Sequence, residues 1–317
     1  MELKLFFVYE ESDVVGILPL YAKDVLRRFG PKGKQLQVIG TSWRLGPTVR
    51  TEYTSFIIKK GYEKKAKHLI EACLCQFLWQ DLIAVDHTEE QLTIFEAAGI
   101  SSALRGQDRG VRIDCSGRFE DWLKGLGKNT RLKVFNRRNY LKDRLSTETV
   151  LMSNKEQRER FLCVMSQFNK ERRDEYISDN ELNFHKLLAE NNQCLKLIYH
   201  LLKVDGEVVS VLYDLVAGDK RYNLQVVFKP DFDKKVSLGL MHLGFAIEEA
   251  FEDLNISTYD FLAGEGNNSF YKSRLISDSG CEYQLNISQV SKTFAHKLYL
   301  STMLGLRKTF NKYRKIN

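Results

Sequence analysis

The chain has 317 residues, of which 43% are hydrophobic and 28% are charged, and its formal net charge at pH 7 is +7. This composition is typical of a globular protein with enough apolar material for one large domain or two of ordinary size. It excludes a disordered chain, and because no run of about 18 apolar residues occurs, no membrane-spanning helix is predicted. The positive charge favours anionic partners without selecting phosphates, nucleic acid or lipid headgroups.

The six cysteines are scattered, and only Cys73 and Cys75 lie close together. One intervening residue is not a metal-ligand spacing, so we predict buried thiols in a reducing compartment and no metal site. The first residues, MELKLFFVYEESD, lack the layout of a secretory signal because acids interrupt the short apolar run. Together these features predict a cytoplasmic location.

The first hundred residues alternate between strand and helix periodicity. Four apolar runs, LKLFFVYE, DVVGILPLYA, KQLQVIG and YTSFIIKK, predict strands. The stretch YEKKAKHLIEACLCQFLW has helical periodicity, DLIAVDHT predicts a buried strand, EEQLTIFEAAG a helix and GVRIDC a further strand. The predicted order is four strands, helix, strand, helix, strand.

A basic segment follows, with eight Lys and Arg residues and one acid from Lys124 to Arg144. Its periodicity predicts a helix with basic and apolar sides. Basic helices contact nucleic acid or anionic surfaces, but only Phe135 and Tyr140 are available here for stacking on bases. Most such runs are solvated faces. Two more helices, KEQRERFLCVMSQFNKERR and ELNFHKLLAEN, come next.

The last third returns to strands. Three apolar runs joined by Asp-Gly and Gly-Asp turns predict an antiparallel meander, followed by the helix SLGLMHLGFAIEEAFEDLN and the strands ISTYDFLAG and GCEYQLNIS. Both halves of the chain therefore share an order of elements, which is compatible with a duplicated α+β unit. Residues 291–317 predict a basic amphipathic helix that packs on its own domain or, less favoured, lies on an acidic membrane.

Two places could bind phosphate. In the loop YDFLAGEGNNSFYKSRLI, Tyr271 precedes Lys272 and the glycines lie too far back for a Walker-type loop, while a dinucleotide fingerprint lacks its third glycine. The better candidate is the helix that begins at Ser237-Leu238-Gly239, because free amides at a helix N-terminus attract a pyrophosphate. The simpler interpretation is that Ser237 caps this helix beside solvated lysines. No nucleophile elbow for a Ser/His/Asp triad occurs.

Three stretches taken together resemble one family. FEDWLKGLGKNTRLKVFNRRNYL, VDGEVVSVLYDLVAGDKRYNLQVVFKPDFDKKVSLGLMHLGFAIEEAFED and YDFLAGEGNNSFYKSRL resemble the GNAT-type acyltransferases often labelled CelD-like, and DVVGILPLY fits that family's N-terminal half. More distantly, the order of elements is similar to that of the Fem-type transferases of peptidoglycan bridges. The resemblance implies an α+β fold of tandem GNAT-like halves, each a mixed, largely antiparallel sheet flanked by helices, with the basic helical segment between them.

The implied domains are residues 1–111, the first half, and residues 112–290, the second half with a helical connector at 119–190. The C-terminal helix, 291–317, completes the chain. Members of this family usually carry a further helical stretch before the first strand. We therefore expect either that the first half is trimmed or that the true start lies upstream of Met1.

The implied activity is N- or O-acyl transfer from acyl-CoA, most simply acetyl-CoA, to an amine or hydroxyl of a sugar or cell-envelope polysaccharide precursor. The expected partner is thus a small-molecule or glycan-precursor acceptor, with no DNA, no metal and at most a weak peripheral contact with the inner face of the membrane. Two alternatives stay open. One is a Fem-type aminoacyl transferase that uses aminoacyl-tRNA, bound by the basic segment, and the other is a non-catalytic binding protein that kept the GNAT fold.

The resemblance also implies which residues bind CoA. The pyrophosphate turn departs from the usual Arg/Gln-x-x-Gly-x-Gly/Ala, since Val236 stands first and Met241 last. Ser237-Leu238-Gly239 is close to the Ser-Pro-Gly that relatives commonly carry there. The implied CoA-binding residues are Phe228, Lys235, Val236, Ser237, Leu238, Gly239 and Leu240.

On the acceptor side, the family pattern matches Asp260, Gly264, Glu265, Tyr271 and Lys272, with residues 266–270 as an insertion. Glu265 is the first choice for a general base that takes the acceptor's proton, and Asp260 is the second. Tyr271 or Tyr213 would reprotonate the CoA thiolate. Lys272 would hold an anionic acceptor or stabilise the oxyanion. The insertion is the expected source of acceptor specificity.

Overall fold

The computed structural model describes residues 1–25, 33–40, 52–54, 56–63, 74–75, 79–89, 101–150, 154–174, 177–190, 195–263, 271–292, 298–299, 302 and 305. The chain divides into two compact units, the first with residues 1–108 and 284–317 and the second with residues 109–283. The predicted helices at 62–79, 89–99 and 291–317 fall largely outside the described residues.

Strands and helices occur in the following order. The strands are β1 (Glu2–Glu10), β2 (Asp13–Val25), β3 (Gly33–Val38), β4 (Ile57–Ile58), β5 (Asp81–His87), β6 (Ser101–Asp114), β7 (Leu145–Val150), β8 (Lys196–Val204), β9 (Glu207–Ala217), β10 (Lys220–Phe228), β11 (Thr258–Ala263) and β12 (Gly280–Ser291). The α-helices are α1 (Phe119–Gly125), α2 (Lys128–Arg131), α3 (Arg138–Leu141), α4 (Lys155–Arg173), α5 (Asp179–Glu190) and α6 (Leu238–Glu252). None of the described helices is long and apolar enough to cross a membrane.

The first unit is built on strands in the order β1-β2-β3-β5-β12, with the short β4 on β2. β3 and β5 run parallel, and the other neighbouring pairs run antiparallel. Alternate residues of these strands face a core that includes Val8, Leu20, Leu36, Leu82 and Val290. The period-two pattern of the sequence thus becomes a sheet with one face in an apolar core.

The second unit is built on strands in the order β6-β11-β10-β9-β8-β7. Here β10 and β11 run parallel and the other pairs antiparallel. The pattern repeats that of the first unit, because both hold three antiparallel strands, a fourth strand parallel to the third and a fifth antiparallel to the fourth. The repeated order of elements in the sequence is therefore a repeated sheet topology.

The basic segment is not one regular helix, contrary to the prediction. It comprises α1, α2, a π-helical turn at Leu132–Asn136, α3 and a 3-10 turn at Lys142–Arg144, and then becomes β7, which the periodicity did not indicate. Val134 is buried, and Gly244 of α6 lies so close to the Val134 carbonyl oxygen that a side chain at 244 would overlap it. This close approach explains why the segment bends to follow α6.

One cation of this segment, Arg138, is half-buried rather than fully solvated. The guanidinium of Arg138 pairs with Glu248 of α6 and lies 3.5 Å from the ring centre of Phe245. Burial lowers the pKa of Arg138, while the bond with Glu248 opposes that shift. Part of the positive charge that suggested nucleic-acid binding therefore holds the segment to its own unit.

The second unit also buries a histidine between α5 and the sheet. The His185 ring lies edge-on to Tyr213, with 5.2 Å between ring centres, and neither ring nitrogen has a hydrogen-bond partner among the described residues. Burial lowers the pKa of His185 to about 4. The ring is therefore neutral at pH 7.

We expect His185→Phe to reduce the loss of unfolding free energy that occurs as the pH falls. Because the folded pKa is depressed below 6.5, the stability that neutral His185 contributes is present above pH 6.5 and is lost as the pH falls towards 4. The variant should therefore lose up to about 3 kcal/mol less than the wild type between these pH values. Urea unfolding at several pH values measures this, and parallel profiles would contradict it.

We expect Gly244→Ala to destabilise the protein, although alanine normally favours a helix over glycine by about 1 kcal/mol. The added methyl group would overlap the Val134 carbonyl oxygen, which cannot rotate away, so a net loss of roughly 2 kcal/mol or more is expected. Gly117→Ala is the control, since its new methyl group meets nothing within 4 Å. A more stable Gly244→Ala protein in urea unfolding would show that the contact is not close.

Candidate active site

Strands β10 and β11 open a gap in the sheet of the second unit. They pair over three residues only, Lys220–Tyr222 with Thr258–Asp260, and then continue to their ends without further pairing. A bulge between Asn223 and Gln225 interrupts β10 just beyond the paired part. Bulges bend a strand and leave backbone groups outside the ladder, so this end of β10 offers amides to a ligand.

Helix α6 begins where β10 ends. The amide of Met241 donates to the Ser237 carbonyl at 2.9 Å, so the amides of Leu238, Gly239 and Leu240 have no acceptor within the helix. The Ser237 side chain makes no capping bond. The first turn therefore presents free donors and the positive end of the helix dipole, as a pyrophosphate site requires.

Gly239 brings this first turn close to the end of β10. A Cβ atom at 239 would lie 2.7 Å from Cε1 of Phe228, so only glycine fits against the ring without displacing it. The Phe228 ring is covered on another side by the Arg172 guanidinium, 4.6 Å from the ring centre. Packing against Phe228 therefore explains why glycine stands at the end of Ser237-Leu238-Gly239.

A small, open cleft lies beside the first turn of α6. It joins three stretches that are distant in sequence: the start of the basic segment, α6 and the residues after the glycine-rich loop. The lining residues are Asn129, Thr130, Lys133, Leu240, Tyr271 and Arg274. Of the residues predicted for the site, Leu240 from the CoA side and Tyr271 from the acceptor side meet here.

The cleft suits an anionic ligand. Lys133 and Arg274 supply positive charge, and Asn129 and Thr130 supply neutral polar groups. Burial raises the pKa of Tyr271 to about 12, so its phenol keeps its proton at neutral pH and is a hydrogen-bond donor. Charges, free amides and a phenol donor are the groups that bind phosphates and stabilise developing negative charge.

Asp260 and Lys272 hold the backbone at the end of β11. The Asp260 carboxylate accepts from the Leu262 amide and the Tyr283 hydroxyl, both at 2.7 Å. The Lys272 ammonium donates to the carbonyls of Phe261 at 2.7 Å and Leu262 at 2.8 Å. Leu262 has a φ of 58°, which is strained for a leucine, and the register shifts here. Both predicted catalytic residues therefore brace a strained bulge.

Among the described residues, Tyr213, Lys235 and Val236 do not line the cleft. Tyr213 is fully buried in the core and stacks on Tyr199 with 4.4 Å between ring centres, and burial raises its pKa. Lys235 is exposed, with its ammonium 5.4 Å from the Tyr140 ring centre. The Val236 amide closes a turn by donating to the Asp233 carbonyl at 3.0 Å. Glu265, like Gly264 and residues 266–270, lies outside the described residues.

Sequence reasoning did not find four of the lining residues. Asn129, Thr130 and Lys133 belong to the basic segment, where their spacing places them near one face of a helical turn, and Arg274 follows Tyr271-Lys272. The sequence signal for these residues was a set of polar side chains on one side of the segment. The prediction missed it because it treated the segment as one helix and weighed only its total charge.

A buried ionic network at the base of the gap was also missed. Arg221 donates to Asp214 at 2.6 Å, and Tyr259 donates to the same carboxylate at 3.1 Å. Glu249 of α6 lies 3.3 Å from Arg221 and 3.1 Å from His200. Burial by itself lowers the pKa of Arg221, but Asp214, Tyr259 and Glu249 together more than offset this and the pKa lies above the usual range. The network ties α6 to the paired part of β10 and β11.

Residues 128–273 match the family described as the acetyltransferase (GNAT) domain. This range includes most of the basic segment, the gap, the first turn of α6 and all cleft residues except Arg274. The second unit therefore contains a GNAT-type acetyltransferase domain, and the domain supports an acyltransferase as the enzyme class. Among the described residues, no group of three or more His, Cys, Asp and Glu side chains could hold a metal ion.

Several solved structures share the fold at low sequence identity. FemX is 12% identical, with a TM-score of 0.58 over 90% of this chain and 88% of that one. The C-terminal domain of a protein described as a lysylphosphatidylglycerol synthetase, from Agrobacterium fabrum, is also 12% identical, with a TM-score of 0.58 over 95% and 87%. L-PGS from Bacillus licheniformis is 11% identical, with a TM-score of 0.54 over 96% and 89%. No curated protein sequence matches.

These findings confirm the predicted fold class, α+β with GNAT-like halves. The topology repeated in the two units is the internal evidence for it, and the shared fold of the solved structures is the external evidence. The finer resemblance to CelD-like acyltransferases stays a prediction.

We expect Lys272→Met and Lys133→Met to distinguish a lysine that stabilises the fold from one that binds a ligand. Lys272 is buried and holds two carbonyls, so its loss should lower the free energy of unfolding by roughly 2–4 kcal/mol. Lys133 is exposed at the cleft, so its loss should change stability by less than about 0.5 kcal/mol. Urea unfolding of both variants measures this. Equal stabilities would contradict the bracing role of Lys272.

Proposed function

We propose that the chain transfers an acyl group, most simply acetyl, from acyl-CoA to an amine or hydroxyl of a sugar or cell-envelope polysaccharide precursor. The observation that carries this proposal is the cleft, where a helix N-terminus with free amides meets Tyr271, Lys133 and Arg274 within a GNAT domain. The resemblance of the sequence to CelD-like acyltransferases supports the class of acceptor.

The proposal assigns the CoA pyrophosphate to the free amides of Leu238, Gly239 and Leu240. Their direction and the helix dipole favour a dianion. The pantetheine arm would then extend along the gap between β10 and β11, and the bulge after Asn223 supplies amides for the thioester carbonyl. Amide donors aimed at this oxygen stabilise the negative charge that develops on it.

In the proposed reaction, the acceptor nitrogen or oxygen attacks the thioester carbonyl carbon and loses a proton to a general base. The carbon–sulfur bond then breaks, the acyl group stays on the acceptor and CoA leaves as the thiolate. Glu265 keeps its predicted role as the base, on the strength of its place in the sequence pattern. The bracing contacts of Asp260 make it a poorer candidate, since its carboxylate already accepts two hydrogen bonds.

The role proposed for Tyr271 changes from proton donor to hydrogen-bond donor. A phenol with a pKa of about 12 is a weaker acid than a thiol, whose pKa is about 8.5, so full proton transfer to the thiolate is unfavourable. A hydrogen bond from the phenol to the departing sulfur or to the oxyanion stabilises either charge without that transfer. The proton taken by the base then returns to the thiolate or to solvent.

A second candidate is aminoacyl transfer from aminoacyl-tRNA. The specific observation in its favour is the shared fold with FemX, with a protein described as a lysylphosphatidylglycerol synthetase and with L-PGS, together with the cations of the cleft. In this alternative, Lys133 and Arg274 would contact the 3′ end of the tRNA, and the exposed cations of the basic segment would contact its backbone.

Calorimetric titration with CoA tests the proposal. In this measurement we expect Ser237→Asp to raise the dissociation constant for CoA at least about tenfold. The new carboxylate would accept from the free amides of α6 and repel the pyrophosphate. The same carboxylate should cap the helix and raise stability by about 0.5–1 kcal/mol, because Ser237 makes no capping bond. Weaker binding with higher stability distinguishes a blocked site from a damaged fold.

Ser237→Ala is the matched control and should leave CoA binding nearly unchanged. No heat of binding with CoA or acetyl-CoA would contradict the acyl-CoA proposal. Binding of tRNA that weakens steeply with salt and is reduced in Lys133→Met would then favour the second candidate. Thiol release from acetyl-CoA over a panel of amino sugars identifies the acceptor.

A further inference from the structure

The first strand of the first unit is apolar on both faces. On the core side, Val8 is buried and Phe6 packs on the core. On the opposite side, four alternate residues are exposed: Leu3 by 64%, Leu5 by 42%, Phe7 by 45% and Tyr9 by 56%. Large apolar side chains at successive outward positions differ from the polar outer face of an ordinary solvated strand.

This strand also ends the sheet. Among the described strands, β1 pairs with β2 alone and stands first in the strand order. The extra residue of the β1–β2 register shift lies in β2, because Val8 and Tyr9 oppose Gly16 and Val14, so β1 itself is regular. A long, regular, apolar edge strand is a template for pairing with another strand.

We propose that β1 pairs antiparallel with β1 of a second copy of this chain, around a twofold axis at Phe7. A strand of this kind can bind its own copy because an antiparallel pair is symmetric and each side supplies the same surface. An anionic membrane fits the apolar face less well, since Glu10, Glu11 and Asp13 cluster where β1 turns into β2. Those carboxylates would be repelled by acidic headgroups.

The sequence of β1 selects the register. With Phe7 opposite Phe7 of the second copy, Leu5 faces Tyr9 and Phe6 faces Val8, so apolar side chains meet on both faces of the pair. Lys4 then lies opposite Glu10 of the other copy, twice by symmetry. Within its own chain Lys4 pairs with Glu2, so the ammonium would lie between carboxylates of both chains.

Neighbouring registers lose this match. A shift of the twofold axis to Phe6 places Glu2 opposite Glu10 of the second copy, and a shift to Leu5 places Lys4 opposite Phe6. A shift to Val8 places Glu10 opposite Phe6. Like charges or a charge facing an apolar side chain disfavour these pairings, so Lys4 and Glu10 specify one register.

Disulfide trapping in the full chain tests the register. Residues directly opposite in an antiparallel pair have Cα atoms about 4.5–5.5 Å apart, within the range that a disulfide spans. Phe7→Cys should therefore form a disulfide-linked dimer through Cys at position 7 under mild oxidation, identified by mass spectrometry. Leu5→Cys should not link to itself, because four residues, about 13 Å, separate the two copies along the strands. The wild type gives the background from its own cysteines.

Sedimentation velocity over a concentration series tests the association itself. The wild type should dimerise reversibly, and Phe7→Lys should raise the dissociation constant at least about tenfold. Leu254→Lys is the matched control, since Leu254 is 99% exposed in the second unit and the variant adds the same charge. Lys4→Glu and Glu10→Lys should each weaken the dimer, and the double variant should restore it.

A monomeric wild type at all concentrations would overturn the proposal. So would a dimer that Phe7→Lys leaves intact, or one that links through position 5 instead of position 7. Binding of the monomer to vesicles of acidic phospholipid, lost in Phe7→Lys, would assign the face to a membrane instead. These outcomes do not depend on the proposed acyl transfer, because β1 belongs to the first unit and the cleft to the second.

Discussion

The buried pair of Asp214 and Arg221 is the constraint on which the second unit depends. Arg221 lies in the three-residue stretch where β10 and β11 still pair, and Tyr259 lies opposite it and bonds the same carboxylate. Glu249 extends the network to α6. Removing one partner of such a pair leaves a buried charge uncompensated, which costs several kcal/mol. The network therefore holds the base of the gap closed while the far ends of the strands stay apart.

The cleft follows from this arrangement. Because α6 is attached to the sheet through Glu249 near its C-terminal end, its first turn can lie at the open end of the gap, where Gly239 packs on Phe228. Gly244 lets the basic segment approach the same helix, which brings Lys133 to Leu240. Two glycines and one buried ion pair thus assemble a site from three separate stretches of the chain between residues 129 and 274.

The sequence predicted the order of elements well wherever periodicity was strong. The meander β8-β9-β10, helix α4 and helix α6 occur where the apolar pattern and the Asp-Gly and Gly-Asp turns placed them. It failed in the basic segment, because charge counts do not show that Arg138 is half-buried against Glu248 or that a π-helical turn interrupts the helix. It also missed β7, whose six residues pair with β8 although most of their side chains are exposed.

The candidate site divides in the same way. The sequence by itself determined the α+β class, the repeated order of elements, the GNAT resemblance and the helix N-terminus at Ser237, because each depends on local periodicity, turn chemistry or motif order and spacing. Only the tertiary structure decided that Lys272 and Asp260 brace a strained bulge, that Tyr213 belongs to the core, and that Arg274 and Lys133 share a cleft with Tyr271. Burial and the choice of hydrogen-bond partners depend on contacts between distant residues, and no local pattern encodes them.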